Sequence, residues 1–319
     1  MKWLVILLTV LASLILILFA LTVFFFRVAI CRKDRYDEAA MLKNMKKTMS
    51  PKHYAIIEAG VKSFHAAEKE DVHITSHDGL RLHGYLIEQK DRNHVRGTII
   101  LVHGWHGKPQ VDFSASWHRY YEMGLDILAI EQRAHGKSEG KYICFGVKER
   151  FDLLDWISFV NNRYGSDKKI VLSGISMGSA TVLMTLGEEQ LPSNVICATA
   201  DCGYTDAWDQ FAHVLRRSYH LPGFPLLYTT DLFSRAVADF PFRSYSTIES
   251  LKKAKIPVLF IHGKADGFVP LENTTKNAAA CASYHEVVEI ENAPHGLSYL
   301  FDTPTISRAF DEFVGRMIG

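Results

Sequence analysis

Cysteine is scarce and unpatterned in this chain. The five present, Cys31, Cys144, Cys197, Cys202 and Cys281, are odd in number and show no C-x-x-C spacing. That argues against a disulfide framework and favours a reducing compartment. Excess charge is also lacking: 36 Lys and Arg stand against 35 Asp and Glu, a formal net charge of +1. Such a balance offers nucleic acid no electrostatic handle, so no nucleic-acid partner is expected. Ligand spacing for a metal is missing as well. His103 and His106 lie close together in a Gly-rich turn, but no carboxylate stands at a zinc-like interval, and no metal is expected. Internal repeats and low-complexity runs are absent, which removes solenoid and linker architectures.

One stretch lacks charge altogether. Residues 3–26 form an uncharged run of 24 residues dominated by Leu, Ile, Val and Phe. As a helix at about 1.5 Å per residue it spans about 36 Å, enough for a bilayer core with some tilt. A secretory signal has a shorter apolar region and a small-x-small cleavage site, whereas this run ends in Phe24-Phe25-Phe26-Arg27. Ile30 before Cys31 fits a lipoprotein processing site poorly. The expectation is a retained single-pass anchor over 1–27, in contact with membrane lipid. Lys2 precedes the run, and Arg27, Arg32, Lys33, Arg35, Lys43, Lys46 and Lys47 follow it. The excess on the C-terminal side places the rest of the chain in the cytoplasm by the positive-inside rule. A short tail with one lysine can also stay inside, so the opposite orientation remains open. Residues 28–70 are charged and partly helical, a stalk or lead-in, and 71–319 form the main domain.

Within 71–319 the pattern alternates. Apolar strand-like runs near 97–102, 125–130, 169–173, 195–200, 257–261 and 286–290 are separated by helical stretches near 113–123, 147–163, 271–282 and 305–317. Continuous apolar strands between helices predict an α/β fold with a mostly parallel sheet covered on both faces. An Asp-Gly turn at 78–79, between alternating segments, predicts a leading hairpin.

The chemistry gathers at strand ends. Gly174-Ile175-Ser176-Met177-Gly178 follows the apolar run 169–173 and precedes a helical stretch. A serine on such a strand-to-helix turn is a candidate nucleophile, and small residues around it relieve a crowded backbone. Asp266 lies past the 257–261 strand, and His295 lies past the last one. Alone, each reads as an N-cap aspartate and a surface histidine. Together, Ser176, Asp266 and His295 run in the order nucleophile, acid, base, each after a separate strand. Asp201 is the alternative acid. The turn His103-Gly104-Trp105-His106-Gly107 can aim a backbone N–H at an oxyanion, so the N–H groups of Trp105 and Met177 are the candidate oxyanion donors.

These segments, with Glu131 to Gly140 and Pro294-His295-Gly296, resemble the α/β-hydrolase superfamily of serine esterases and peptidases over residues from about 70 to 319. The set is most similar to bacterial membrane-anchored hydrolases and the eukaryotic BEM46-like branch. Glu131 stands where that family has Asp, and Ala134 where it has Gly; both shape a loop. The resemblance implies an α/β-hydrolase fold, an acyl-enzyme mechanism, a Ser176-Asp266-His295 triad and no cofactor. It also implies a helical cap over the site, here about 204–255, a segment rich in aromatics (Trp208, Phe211, Tyr219, Phe224, Tyr228, Phe233, Phe240 and Phe242). Most of these would form the cap's own small core; the remainder, Phe224 and Tyr228 among the candidates, would favour apolar acyl groups. One glycine after His103, rather than a run of three, goes with small to medium acyl groups. The expected substrate is thus a small-molecule carboxylic ester. An aminopeptidase or amidase of the same fold is the alternative, and a non-catalytic hydrolase-like scaffold is a third reading, disfavoured by the complete triad.

Overall fold

The computed structural model describes residues 1–33 and 37–319; Arg35, one of the basic residues after the apolar run, lies outside them. The Asp-Gly turn joins β1 (Glu70–Thr75) to β2 (Arg81–Ile87) as an antiparallel pair. Gly79 has φ +88°, a backbone state that glycine reaches without a steric penalty. β3 (Gly97–Val102), β4 (Leu125–Glu131), β5 (Ile170–Ile175), β6 (Val195–Asp201), β7 (Val258–Gly263) and β8 (His285–Ile290) complete the sheet. The strand order is β1-β2-β4-β3-β5-β6-β7-β8. β2 runs antiparallel to β4, and every later pair is parallel. β3, β4 and β7 are buried along their whole length, as their unbroken apolar sequences require when both faces are covered.

Three helices precede the sheet: α1 (Lys2–Ala29), α2 (Glu38–Thr48) and α3 (Pro51–Ala66). The others are α4 (Pro109–Asp112), α5 (Trp117–Glu122), α6 (Glu149–Tyr164), α7 (Met177–Thr185), α8 (Ala207–Ser218), α9 (Leu226–Ala238), α10 (Thr247–Leu251), α11 (Glu272–Ala280), α12 (Ser298–Phe301) and α13 (Thr303–Ile318). Leu153 and Trp156 of α6, Val182 and Leu183 of α7 and Leu251 of α10 pack on one face of the sheet. Phe64 of α3, Trp117 and Tyr120 of α5, and Phe310 and Phe313 of α13 pack on the other. Where the sequence predicts one helix near 113–123, two short ones stand apart. The break presses the Ser114 carbonyl onto α3, so closely that a Cβ on Gly60 would lie 1.9 Å from that oxygen.

α1 is two things along its length. From Trp3 to Ile17 its apolar side chains are exposed, and it is long and apolar enough to cross a membrane. From Leu18 onward it packs on the domain. Phe26 and Ile30 are buried, each worth about 1.5–3 kcal/mol. Thr22 hydrogen-bonds Thr229 of α9 at 2.7 Å, and Phe26 meets Phe233 of α9 edge-on, with ring centroids 5.0 Å apart.

Candidate active site

The strand ends of β3, β5, β7 and β8 carry the five residues singled out from sequence and bring them together. Ser176 follows β5 directly and has φ +56°, a strained state for a side-chain-bearing residue. Two close approaches hold the turn. A Cβ on Gly174 would lie 2.3 Å from the Gly178 carbonyl oxygen, and one on Gly178 would lie 1.9 Å from that of Val102. No side chain fits at either position. The turn lifts Ser176 Oγ out of the sheet and starts α7 at Met177, whose N–H has no acceptor within the helix.

His295 Nε2 lies 2.8 Å from Ser176 Oγ, and His295 Nδ1 lies 2.6 Å from Asp266 Oδ2. In the tautomer that satisfies both contacts, Nδ1–H donates to Asp266 and Nε2 accepts from the serine hydroxyl. Asp266 is buried. Its Oδ1 accepts the Phe268 and Val269 N–H groups, each at 2.9 Å. Burial raises its pKa, but hydrogen bonds from His262 and His295 and from the Val269 N–H outweigh that, holding the carboxyl well below the usual carboxylate range. His262 is a member of this site that sequence reasoning missed. Its Nε2 lies 3.3 Å from Asp266 Oδ2 and donates to the Val269 carbonyl at 2.9 Å. The available signal is the histidine itself, four residues before Asp266 at the end of β7.

Asp201 ends β6 and is placed differently. Its Oδ1 accepts from Ser298 Oγ at 3.0 Å, and burial raises its carboxyl to about 6. His295 hydrogen-bonds Asp266 instead.

The loop after β3 is pinned from below. Gly104 N–H donates to Asp112 Oδ2 at 2.7 Å, and His106 N–H donates to His135 Nε2 at 3.0 Å. Between them the Trp105 N–H has no acceptor among the described residues. Burial lowers the pKa of His103 far below the usual imidazole value and that of His135 to about 4, so both stay neutral and can accept hydrogen bonds. His103 Nε2 accepts the Gln132 N–H at 3.0 Å. Glu131 fixes the neighbouring loop: its carboxylate lies 2.9 Å from His83 Nδ1 and accepts the Lys137 N–H at 2.6 Å. Ala134, on the same loop, holds φ +60°.

The Trp105 indole N–H donates to the Ala29 carbonyl at the end of α1, at 2.8 Å. Ile143 N–H donates to the Ile30 carbonyl at 2.7 Å. The apolar N-terminal helix therefore ends against the loop beside Ser176. Nothing in the sequence signals this contact.

Two cavities meet at Ser176, Trp105 and Phe268. One, of about 620 Å³, runs past His295 and Asp112 to Met41 and Met45 of α2 and Ile57 of α3. The other, of about 200 Å³, is almost wholly apolar and runs between α8, α9 and the end of α1, past Phe211, Leu215, Tyr219 and Phe242 to Phe25 and Val28. Phe224 and Tyr228, the aromatics expected to select acyl chains, line neither. They are 73% and 53% exposed and pack on each other, with Tyr228 also meeting Trp208. Cys202, Asp266 and His295 lie close enough to share an ion. The hydrogen bond already joining Asp266 to His295, and a Cys202 thiol that burial pushes far up, make a poor ligand set.

The sequence profile described as "Alpha/beta hydrolase family" matches residues 99–314. The chain belongs to that family. The Bacillus subtilis (strain 168) uncharacterized protein YqkD is 29% identical to this hydrolase over 256 residues, 80% of this chain and 82% of that one. The Schizosaccharomyces pombe protein bem46 is 24% identical over 204 residues, 64% of this chain and 62% of that one. Among solved structures, the Pyrococcus furiosus esterase Pf2001 superposes with a TM-score of 0.63 at 23% identity, covering 81% of this chain and 94% of that one.

Proposed function

We propose that this hydrolase is a membrane-anchored serine esterase acting on carboxylic esters with small to medium apolar acyl groups. The observation that carries the reading is the continuous line Ser176 Oγ, His295, Asp266, with 2.8 Å and 2.6 Å contacts. Trp105 and Met177 offer backbone N–H groups beside it. A serine hydroxyl is a poor nucleophile until an imidazole takes its proton, and the imidazole needs a carboxylate to fix its tautomer.

Ser176 Oγ attacks the ester carbonyl carbon as its proton passes to His295 Nε2. The carbonyl oxygen becomes an oxyanion, held by the Trp105 and Met177 N–H groups. Asp266, kept ionised by its donors, stabilises the imidazolium. The C–O bond to the alcohol breaks, and His295 delivers its proton to the departing oxygen. Water then attacks the acyl-serine, losing a proton to His295, which returns it to Ser176 Oγ as the acid leaves. No cofactor enters these steps. The apolar cavity takes the acyl group. The larger cavity takes the alcohol.

α1 is retained as the anchor in this reading, because cleavage near Arg27 would strip Phe26 from the fold and cut close to the carbonyls that Trp105 and Ile143 use. The excess of basic residues after α1 puts the catalytic domain in the cytoplasm. Labelling intact cells with an impermeant maleimide, using one exposed cysteine in a background without the native five, reverses that orientation if the domain reacts without permeabilisation. The chemistry is tested by a fluorophosphonate probe and adduct mapping. Modification at Ser176, absent in Ser176→Ala, is expected; labelling elsewhere overturns the reading. An aminoacyl-amide panel alongside esters tests the peptidase alternative.

A further inference from the structure

Ser218 and Tyr219 are the exposed members of the apolar cavity's lining, and Tyr219 packs on Phe25, so the cavity opens beside α1, whose length sets the height of that mouth in a bilayer. The exposed part, Trp3 to Ile17, is 15 residues, about 22 Å as a helix. A hydrocarbon core is about 30 Å thick. The shortfall of about 8 Å is some five more residues, which pack on the domain along one side while Phe19 and Leu21 stay exposed. Phe19 meets Phe233 of α9 with centroids 6.3 Å apart, and Thr22 bonds Thr229. A spanning α1 therefore carries the outer face of α9 down to the edge of the hydrocarbon. That face is built for it. Leu232 is 68% exposed, and Phe224, Tyr228 and Val237 are exposed with it.

The mouth lies one to two turns further along. Phe25 packs edge-on against Tyr219 at 4.8 Å between centroids, and these two, with Val28 and Ser218, line the outer end of the cavity. On the same scale they stand about 3–8 Å beyond the hydrocarbon, within the headgroup layer of about 5–7 Å where the ester linkages of lipids lie. Arg27 on α1, and Arg216 and Arg217 at the end of α8, are exposed within three residues of the Phe25–Tyr219 pair, as a headgroup-level setting favours.

We infer that the substrate is a bilayer-dissolved ester with a medium-length acyl chain, which slides sideways from the lipid between α1 and α8 to bring its carbonyl to Ser176. The inference rests on the serine-esterase reading above. The apolar lining from Phe25 to Phe242 gives the chain an unbroken path out of the hydrocarbon. Acyl transfer and hydrolysis run as already written, with the alcohol leaving through the larger cavity.

Two measurements on the full chain in phosphatidylcholine vesicles test this. The first places an NBD fluorophore at Leu232→Cys in a background lacking the native cysteines. Blue-shifted emission quenched by nitroxide-labelled lipid is expected; emission as in water overturns the proposal, whatever the activity. The second compares hydrolysis of 1,2-dioctanoylglycerol in the vesicles with that of soluble p-nitrophenyl acetate. Val28→Trp, which plugs the mouth, is expected to lower the ratio of the two rates at least tenfold, and Ser218→Trp is the second variant if the first does not fold. A ratio within twofold of wild type in a folded variant overturns lateral entry. A wild type that turns over acetate but carries its label in water fails here while the esterase reading stands. A wild type inert to both esters and to fluorophosphonate, with its label in lipid, fails on the esterase reading and takes the substrate assignment with it.

Discussion

On the sheet side of Ser176, the groups nearest the reacting atoms are held by partners of their own. His295 is held by Asp266, Asp266 by His262 and two backbone N–H groups, and Gly104 by Asp112. Backbone contacts as tight as 1.9 Å to a virtual Cβ leave the elbow no freedom. On the other side, α8, α9 and the end of α1 meet through ring edges and apolar contacts, with few directional bonds. Directional bonds fix atoms to tenths of an ångström, which proton transfer needs. Apolar contacts fix only shape and volume. On the proposed reading, the first side sets whether bonds break, and the second sets which acyl group is present when they do.

The sharpest way to break this comparison is on the sheet side. Ser176→Ala or His295→Ala should lower ester kcat by about 10⁴–10⁶-fold with the far-UV circular dichroism spectrum unchanged. Turnover within tenfold of wild type would move the chemistry elsewhere. A second test separates electrostatics from catalysis on the same side. Burial raises the Asp201 carboxyl from 3.8 to about 6, so the folded chain binds that proton more tightly than the unfolded chain. Its contribution to stability is full below about pH 4 and is lost as pH rises through about 6. Asp201→Asn removes that loss. The variant should gain on wild type between pH 4.5 and 7.5 by about 2 kcal/mol, read as Tm in detergent micelles. An equal difference at both pH values would mean that the carboxyl does not titrate there.

The boundary between the two sides comes next. Trp105→Phe deletes the indole donor to the Ala29 carbonyl while keeping an aromatic ring. A fall in kcat of about tenfold, with KM changed less than twofold, is expected if this bond positions the oxyanion loop; an unchanged kcat would make the contact mere packing. The smallest effect belongs to the cap. Phe211→Ala enlarges the acyl cavity and should move the optimum of a p-nitrophenyl ester series to longer chains by one or two carbons, a change of a fewfold in kcat/KM. Tyr228→Ala, outside the cavity, should leave that series unmoved. The reverse pattern would reassign the acyl wall.

The same division explains what could be read from the chain. Strand-end chemistry is local in sequence. Gly174 to Gly178, His103 to Gly107, and the loops holding Asp266 and His295 each carry their signal within a few residues, and their order along the chain does the rest. The wall beyond Ser176 is assembled from segments about 200 residues apart, as Thr22 and Thr229 are. A helix apolar all round has no face that points to a partner, so the docking of α1 has no mark in its sequence. Phe224 and Tyr228 look like acyl-site residues by composition, but α9 turns Tyr228 outward and Phe224 packs on it. Asp112 sits in a four-residue helix with no periodicity, and only the fold brings it under Gly104.

The bond from Trp105 to Ala29 has a practical consequence for handling the protein. A soluble version cut at Arg27, where the apolar run ends, would lack a wall of the apolar cavity and expose the ring of Phe233 on α9 that Phe26 covers. Such a protein would tend to clump, and its weak activity would say little about the intact one. A better starting point is near Leu18, with the outward-facing Leu21 and Phe24 replaced by polar residues. Thr22, Phe26 and the chain through Ile30 then stay in place, and a short capping helix remains where the apolar run was.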